Sequence, residues 1–593
     1  MNRRRQEILA LALLLTGCAI VCCLGINWGL PSRDIDPYLF GRHPVWSGLD
    51  IQALAGDRSV DALRPADMDA DPINEPDRSV PVNQTDAQKA EIVRRFRLFT
   101  HHPDEMITLM SLASMRPGRG DFDPKMYQYG GLWVYPVGAL LRLAAACRVI
   151  ALTPDLAYYL DRPEAFGRFY VLMRAYVVAW TLVGVWAVFR ITYRLTRGSL
   201  GASVTAAACF AVMPAVVNAA HEAKPHLPGT VLMLLSVLAA MRCLDNNRRN
   251  WWILACLLAG AAGGMVLSAW PVFATLVMLA WLAPQPKVAR LAKAVIGTAI
   301  ALLTYFATNP YVLINLFRNR DLIWNNLSNT QAMFHLGPPD ESLPNALCLI
   351  GEGTSIVLAL AGLAGLVALA VRDWRMVSSN PPVGPRFVAH WLLAAPAFLA
   401  LTQFVLFAHG QGGEYARFAL FVDVTLCLAA VVALDTFTRY WKLRTICQIA
   451  LLLATAVPGA AYVESFLRDS ASHHTRIRQA EHLAELQRNG ARTLLTDRVP
   501  APYCLPPVNL FDWTIILAPR GQPDAPGQNA DVSIRVVDVP PAPGSPSSDY
   551  VPFSTDGRPW LGLARMSWAN KPFAGRARKP LLTNSAEAPA DAP

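Results

Sequence analysis

Mostly apolar runs, each about as long as a bilayer crossing, recur through this chain and constrain it more than any other feature. A helix needs about 20 such residues to span the hydrocarbon. Runs of that kind lie near 8–29, 169–192, 200–219, 227–244, 251–284, 290–310, 352–371, 388–409, 416–436 and 443–462. The run 251–284 is too long for one comfortable crossing. Gly260, Gly263, Gly264 and Pro271 predict two short helices there, since Gly and Pro punctuate helices. Composition agrees: 53% of the residues are hydrophobic and 16% charged, against about 25% charged in soluble chains. The expectation is an α-helical polytopic membrane protein with about eleven or twelve spans.

The net charge of +10 raises nucleic acid as a partner, but the bases sit in short links between apolar runs and no basic stripe or known module appears. Such links face the cytoplasm. Arg3–Arg5, Arg194/Arg197, Arg242/Arg248/Arg249, Lys287/Arg290, Arg372/Arg375/Arg386 and Arg439/Lys442/Arg444 alternate consistently with a cytoplasmic N-terminus. They place 31–128, 220–226, 311–350, 410–415 and everything after 463 outside. A full crossing by the apolar stretch 130–152 would break this parity, so it reads as a re-entrant or membrane-packed helix, or as one of a pair. The N-terminal run continues well past Leu15-Thr16-Gly17-Cys18, which favours an uncleaved first helix over a cleaved signal.

Residues 1–462 therefore read as a multi-spanning domain with two external loops, 31–128 and 311–350. The middle of the first, Asp57 to Asp86, is acidic and Pro-rich and resembles a flexible insertion. From 463 to 570 a helix at 474–489 and β-type runs at Thr493–Leu495, Trp513–Leu517 and Val532–Val539 predict a small α/β domain. Residues 571–593 read as a disordered tail. Ten of the eleven cysteines lie in or beside apolar stretches and only Cys504 falls in the polar C-terminal region, so no disulfide framework is implied.

The sharpest chemical signal is His101-His102-Pro103-Asp104-Glu105 at the head of the apolar stretch Met106–Met110. An acid there is either a helix N-cap or a general base with its neighbour positioning substrate or a metal. Downstream, Asp121 to Pro136 includes Tyr127, Gln128 and Tyr129. That density of aromatics suits an interfacial belt and equally a surface for stacking sugars. His221-Glu222-Ala223-Lys224-Pro225-His226 packs four ionisable groups between two spans, which is costly unless functional. Glu222, with His221 and His226, has the chemistry of a divalent-metal ligand, and Lys224 suits a phosphate. A solvated turn is the plain alternative. Asn309-Pro310-Tyr311 ends one external helix and Glu414-Tyr415-Ala416-Arg417-Phe418 begins another. Arg417 either snorkels to the surface or clamps a phosphate leaving group.

In order, Asn27-Trp28-Gly29-Leu30-Pro31, His102-Pro103-Asp104-Glu105, Phe122-Asp123-Pro124, Tyr129-Gly130, the 221–228 link, Thr308-Asn309-Pro310-Tyr311, Arg417-Phe418 and Tyr503-Cys504-Leu505-Pro506-Pro507 resemble the bacterial glycosyltransferase family 39-like proteins. Those belong with the protein O-mannosyltransferases and aminoarabinose transferases of the type C glycosyltransferase fold. The 32–100 insertion departs from the family pattern. The resemblance implies a polyprenyl-phosphate sugar donor and a lipid, glycan or protein acceptor at the extracytoplasmic face of a bacterial inner membrane. It further implies Asp104 as general base, Glu105 orienting the acceptor or a cation, and Tyr127, Gln128, Tyr129, His221, Lys224, His226, Asn309 and Arg417 contacting substrate. Lys224 and Arg417 would stabilise the departing phosphate. The competing classes are a transporter or lipid flippase, which would favour repeated halves and charges deep within helices, and a non-catalytic scaffold.

Overall fold

A bilayer offers the backbone no hydrogen-bond partners, so the apolar runs must satisfy their own amides as helices. The computed structural model describes residues 3–55, 79–283, 286–333, 336–378, 389–410, 412–471, 475–519, 530–538, 550–555, 564–579 and 581. Among these, seven helices are long and apolar enough to cross a membrane: Arg3–Cys23, Pro163–Leu195, His226–Asn246, Lys287–Thr308, Ile356–Met376, Gly413–Phe437 and Trp441–Ser470. The pair Leu200–Val212 and Pro214–Ala220, bent by 55°, has the make-up of a broken span or a re-entrant loop, and Gly131–Ala146, Leu267–Leu282 and Trp391–Phe407 are shorter apolar helices. The chain is thus a multi-pass helical membrane protein. Residues 57–78 of the acidic stretch, Arg386 and the last twelve residues lie outside the described residues.

The long run 251–284 divides as expected, into Arg249–Met265 and Phe273–Leu282, but the break sits at Val266, which is extended. Its glycines serve close packing instead. A Cβ on Gly260 would lie 2.2 Å from the Ala301 carbonyl oxygen, and one on Gly264 2.2 Å from Thr308 Oγ1. Gly130 carries the contact onward, where a Cβ would meet the Gly264 carbonyl oxygen at 1.9 Å. The stretch 130–152 forms the helix Gly131–Ala146. Its far flank returns to the first turns of Pro163–Leu195, where Arg168 donates to the Val149 carbonyl (3.5 Å). At 16 residues Gly131–Ala146 is shorter than the spanning helices.

Beyond Ser470, the helix Thr475–Arg488 precedes most of a sheet that among the described residues has six strands, in the order Val80–Pro81 (β1), Thr514–Leu517 (β3), Thr493–Thr496 (β2), Val532–Val536 (β4), Phe573–Arg578 (β6) and Tyr550–Thr555 (β5). Strands β2 (Thr493–Thr496), β3 (Thr514–Leu517) and β4 (Val532–Val536) match the predicted runs, with β2 parallel to both neighbours. Strands β5 (Tyr550–Thr555) and β6 (Phe573–Arg578) were not foreseen. The second corrects the predicted tail, since the chain stays ordered in the sheet to Arg578. The Gly and Arg residues of Phe-Ala-Gly-Arg-Ala-Arg hide a strand whose Phe573 and Ala577 are fully buried. Strand β1 (Val80–Pro81) comes from the first loop and pairs antiparallel with β3. Asn83 locks the join, donating to the Leu510 and Trp513 carbonyls and accepting from the Ile515 amide (2.7–2.9 Å). The first loop and the C-terminal sheet are therefore one folded body.

Gly130→Val forces a side chain into the Gly264 backbone. It should lower stability by about 1–3 kcal/mol, the range for overpacking, read as a reduced thermal midpoint in detergent.

Candidate active site

The loops before Glu105, around 221–226, at Tyr129, at Val266–Ser268 and at 413–418 meet at one end of the bundle. Asp104 is positioned as the N-cap of the helix Glu105–Ser114, yet its side chain makes no cap bond. It pairs instead with Lys224 (Nζ–Oδ2 2.8 Å) and Arg417 (Nη2–Oδ2 3.5 Å). The N-cap alternative fails, and the motifs at 104, 224 and 417 form one cluster. The His221–His226 link is buried rather than a solvated turn. Burial alone would push the Asp104 carboxyl up. The Lys224 ammonium, the Arg417 guanidinium and His102 outweigh it and hold the group well below the usual carboxylate range.

Glu222 answers to the same cations. It accepts from Asn218 (2.9 Å), faces His102 Nε2 (3.5 Å) and lies 3.7 Å from Lys224. Burial opposes its ionisation, but Lys224 and His102 lower its carboxyl to about 2. These contacts correct the metal assignment. The carboxylates of Asp104 and Glu222 are already neutralised by side-chain cations, and His221 points elsewhere. Among the described residues no group of three or more His, Cys, Asp or Glu side chains gathers as a metal site. The donor set does not fit a divalent ion. His102 accepts the Asp104 amide at Nδ1 (3.0 Å), which leaves the Nε2 hydrogen for Glu222 and orients the loop that carries the acid.

Glu105 is the other half of the acidic pair and has a different role from the one expected. It is fully buried and takes a two-pronged contact from Arg174 (2.8 and 2.7 Å), with further bonds from Thr100 Oγ1 (2.7 Å) and the Ala223 amide (2.8 Å). With its oxygens taken, it cannot orient an acceptor; it holds the first loop to the 221–226 link. Burial works against its charge, and Arg174 outweighs it to keep the carboxyl low. Arg174 also donates to the Ile26 and Trp28 carbonyls (2.8 and 2.7 Å) and covers the Trp28 ring at 4.7 Å. Nothing in the sequence singled it out: it is one arginine in a span, and only its depth within an apolar run was a signal.

A cavity of about 640 Å³ opens beside Asp104 and Arg417 and is lined by Gln128, Tyr129 and His226 among the predicted residues. Tyr129 and Phe418 set their rings edge-on to His226 (6.0 and 5.1 Å). Lys125, not predicted, also lines it and has a left-handed backbone (φ 56°). Four predicted substrate contacts are not in the cavity wall: Lys224, which sits behind Asp104, and three that are engaged elsewhere. Tyr127 is tied to Asp123 and Asn315 (3.0 and 2.7 Å). His221 turns both ring nitrogens to the Val217 and Leu24 carbonyls and stacks on Phe466 at 4.2 Å. Asn309 accepts from the Gly131 amide (2.7 Å) and donates to the Tyr305 carbonyl. All three hold the loops in shape. Trp568, from beyond the predicted strands, bonds Glu414 (2.7 Å) and faces His102 edge-on (6.0 Å).

Breaking a buried pair leaves a bare charge and costs about 3–5 kcal/mol. Arg174→Ala should therefore lower the unfolding midpoint sharply in detergent, whereas Arg417→Ala, in the cavity wall and with Lys224 still paired to Asp104, should fold and lose activity.

Residues 166–312 match the family model of the dolichyl-phosphate-mannose-protein mannosyltransferases. No curated protein matches the chain. Among solved structures, ArnT from Cupriavidus metallidurans bound to undecaprenyl phosphate is similar at 15% identity, with 68% of this chain and 71% of that one covered and a TM-score of 0.40. The apo state of the same protein aligns at 12% identity over 70% and 82%, with a TM-score of 0.41. The apo oligosaccharyltransferase of Archaeoglobus fulgidus aligns at 11% identity over 78% and 65%, with a TM-score of 0.37. The matched segment carries Arg174, Glu222 and Lys224, so half of the charge cluster lies inside it. Over residues 166–312, about a quarter of its length, this multi-pass helical membrane protein is therefore similar to the dolichyl-phosphate-mannose-protein mannosyltransferases.

Proposed function

We propose that this enzyme moves a sugar from a polyprenyl-phosphate donor to an acceptor hydroxyl or amine at the extracytoplasmic face of a bacterial plasma membrane, with inversion. In this reading the N-terminus is cytoplasmic, and the first loop and the C-terminal sheet lie outside. The observation that carries the reading is Asp104 in contact with Lys224 and Arg417 at the mouth of the 640 Å³ cavity. The acceptor loses its proton to Asp104 and attacks the anomeric carbon. The carbon–oxygen bond to phosphate breaks on the opposite side, and the phosphate departs with the electron pair. Lys224 and Arg417 meet the charge that develops on it.

Paired with both cations, Asp104 binds a proton weakly and is a poor base. An arriving lipid phosphate competes for the same two cations. As it draws them off, the carboxylate loses its stabilisation and its proton affinity rises. The base is therefore strengthened by the donor it serves. A metal is not needed for this step in the proposal, since the chain supplies its own cations.

Asp104→Asn should keep the fold and lower turnover by about a hundredfold or more; near-normal release of lipid phosphate would remove Asp104 as base. Lys224→Met removes a cation that favours the ionised carboxylate. The free enzyme's Asp104 then titrates higher, so the acid limb of kcat/KM should move to higher pH. An unmoved limb would mean that Lys224 does not tune this acid.

A further inference from the structure

The helix Arg320–Met333 in the second loop has an unusual distribution of side chains. Leu322, Asn325, Asn326, Asn329 and Thr330 all line the cavity beside Asp104, at the spacing that places residues on one helical face. In an ordinary amphipathic helix that inward face is apolar. Here it is mostly amides. The apolar members Trp324 and Leu327 instead face outward, 64% and 44% exposed.

Asn326 and Thr330 serve the framework. Asn326 receives the Tyr127 amide and donates to the Lys125 carbonyl (3.1 and 3.0 Å), and Thr330 accepts from Gln128 (3.2 Å). These bonds fix the helix against the strained Lys125 turn and leave Asn325 and Asn329 on the same face as wall. Gln403 adds an amide from the helix Trp391–Phe407, and Trp270, 43% exposed, adds an aromatic surface. Asp104 is the one carboxylate among the cavity's described lining residues, and Lys224 and Arg417 already claim it.

An amide side chain both donates and accepts, which suits neighbouring hydroxyls that do the same. A cationic amino sugar would meet Lys125 and Arg417 with no spare acid. We propose, resting on the glycosyl-transfer reading above, that Asn325 and Asn329 read the hydroxyls of a neutral sugar on the donor. Arg320–Met333 is then the helix that sets sugar specificity.

The test measures binding of polyprenyl phosphate, bare and carrying a neutral hexose, an amino sugar or a uronic acid, to the full-length protein in nanodiscs. The wild type should bind the neutral glycoside at least tenfold more tightly than the bare lipid phosphate and better than either charged one. Asn325→Leu with Asn329→Leu should erase that advantage and leave bare lipid phosphate affinity unchanged. Asn329→Asp should shift preference toward the amino sugar. An unchanged neutral advantage in the double variant, equal loss for the bare lipid, or preference for a charged sugar in the wild type overturns the assignment. Failure of every bound donor to release its sugar, with this binding pattern intact, would count against the transfer reading and not against the helix.

Discussion

A carboxylate removed from water must find a cation or give up its charge, and this constraint organises the end of the bundle. Two buried acids, Glu105 and Glu222, and the half-buried Asp104 share Arg174, Lys224 and Arg417. The partners are unequal. Arg174 and Glu105 are both fully enclosed and fully bonded, so they act as a rivet between the first loop and the 221–226 link. Asp104 and Arg417 line a cavity, so the ion cluster that Lys224 completes from behind is open there to an incoming anion. One pair holds the shape and the other remains available for chemistry.

This division explains what the sequence could and could not reveal. Apolar runs were enough for a polytopic helical architecture and for the break within 251–284. Ionisable residues at helix ends were conspicuous, and Asp104, His226 and Arg417 do line one cavity, with Lys224 paired to Asp104 beside it. The roles within the cluster were not legible. Glu105 beside Asp104 looks like a second catalytic acid until Arg174, far away in sequence, is seen occupying it. His221, Tyr127 and Asn309 have side chains suited to binding a ligand, yet each is spent on a neighbouring backbone or side chain. Local sequence gives the type of group; only the fold says which groups are already engaged.

The amide face of Arg320–Met333 escaped notice for a related reason. The sequence placed 311–350 only as an external loop, and nothing in its amides or in Trp324 and Leu327 says which side of a helix faces a cavity. In the structure this helix turns its amides to the cavity and leaves Trp324 and Leu327 exposed. Likewise the glycines of 260–264 are not hinges. They let Arg249–Met265 and Lys287–Thr308 approach until backbone meets side chain, and Gly130 seats the aromatic loop on that junction.

Strand β1 has a consequence for how the protein matures. Val80–Pro81 leaves the ribosome long before β3, with which it must pair. Contacts so distant along the chain form late, so the loop that bears Asp104 must wait, with its edge unsatisfied, until the final spans are inserted and the C-terminal strands emerge. Assembly of the charge cluster is thereby coupled to completion of the polypeptide, and a chain released early keeps its membrane helices without a finished catalytic end.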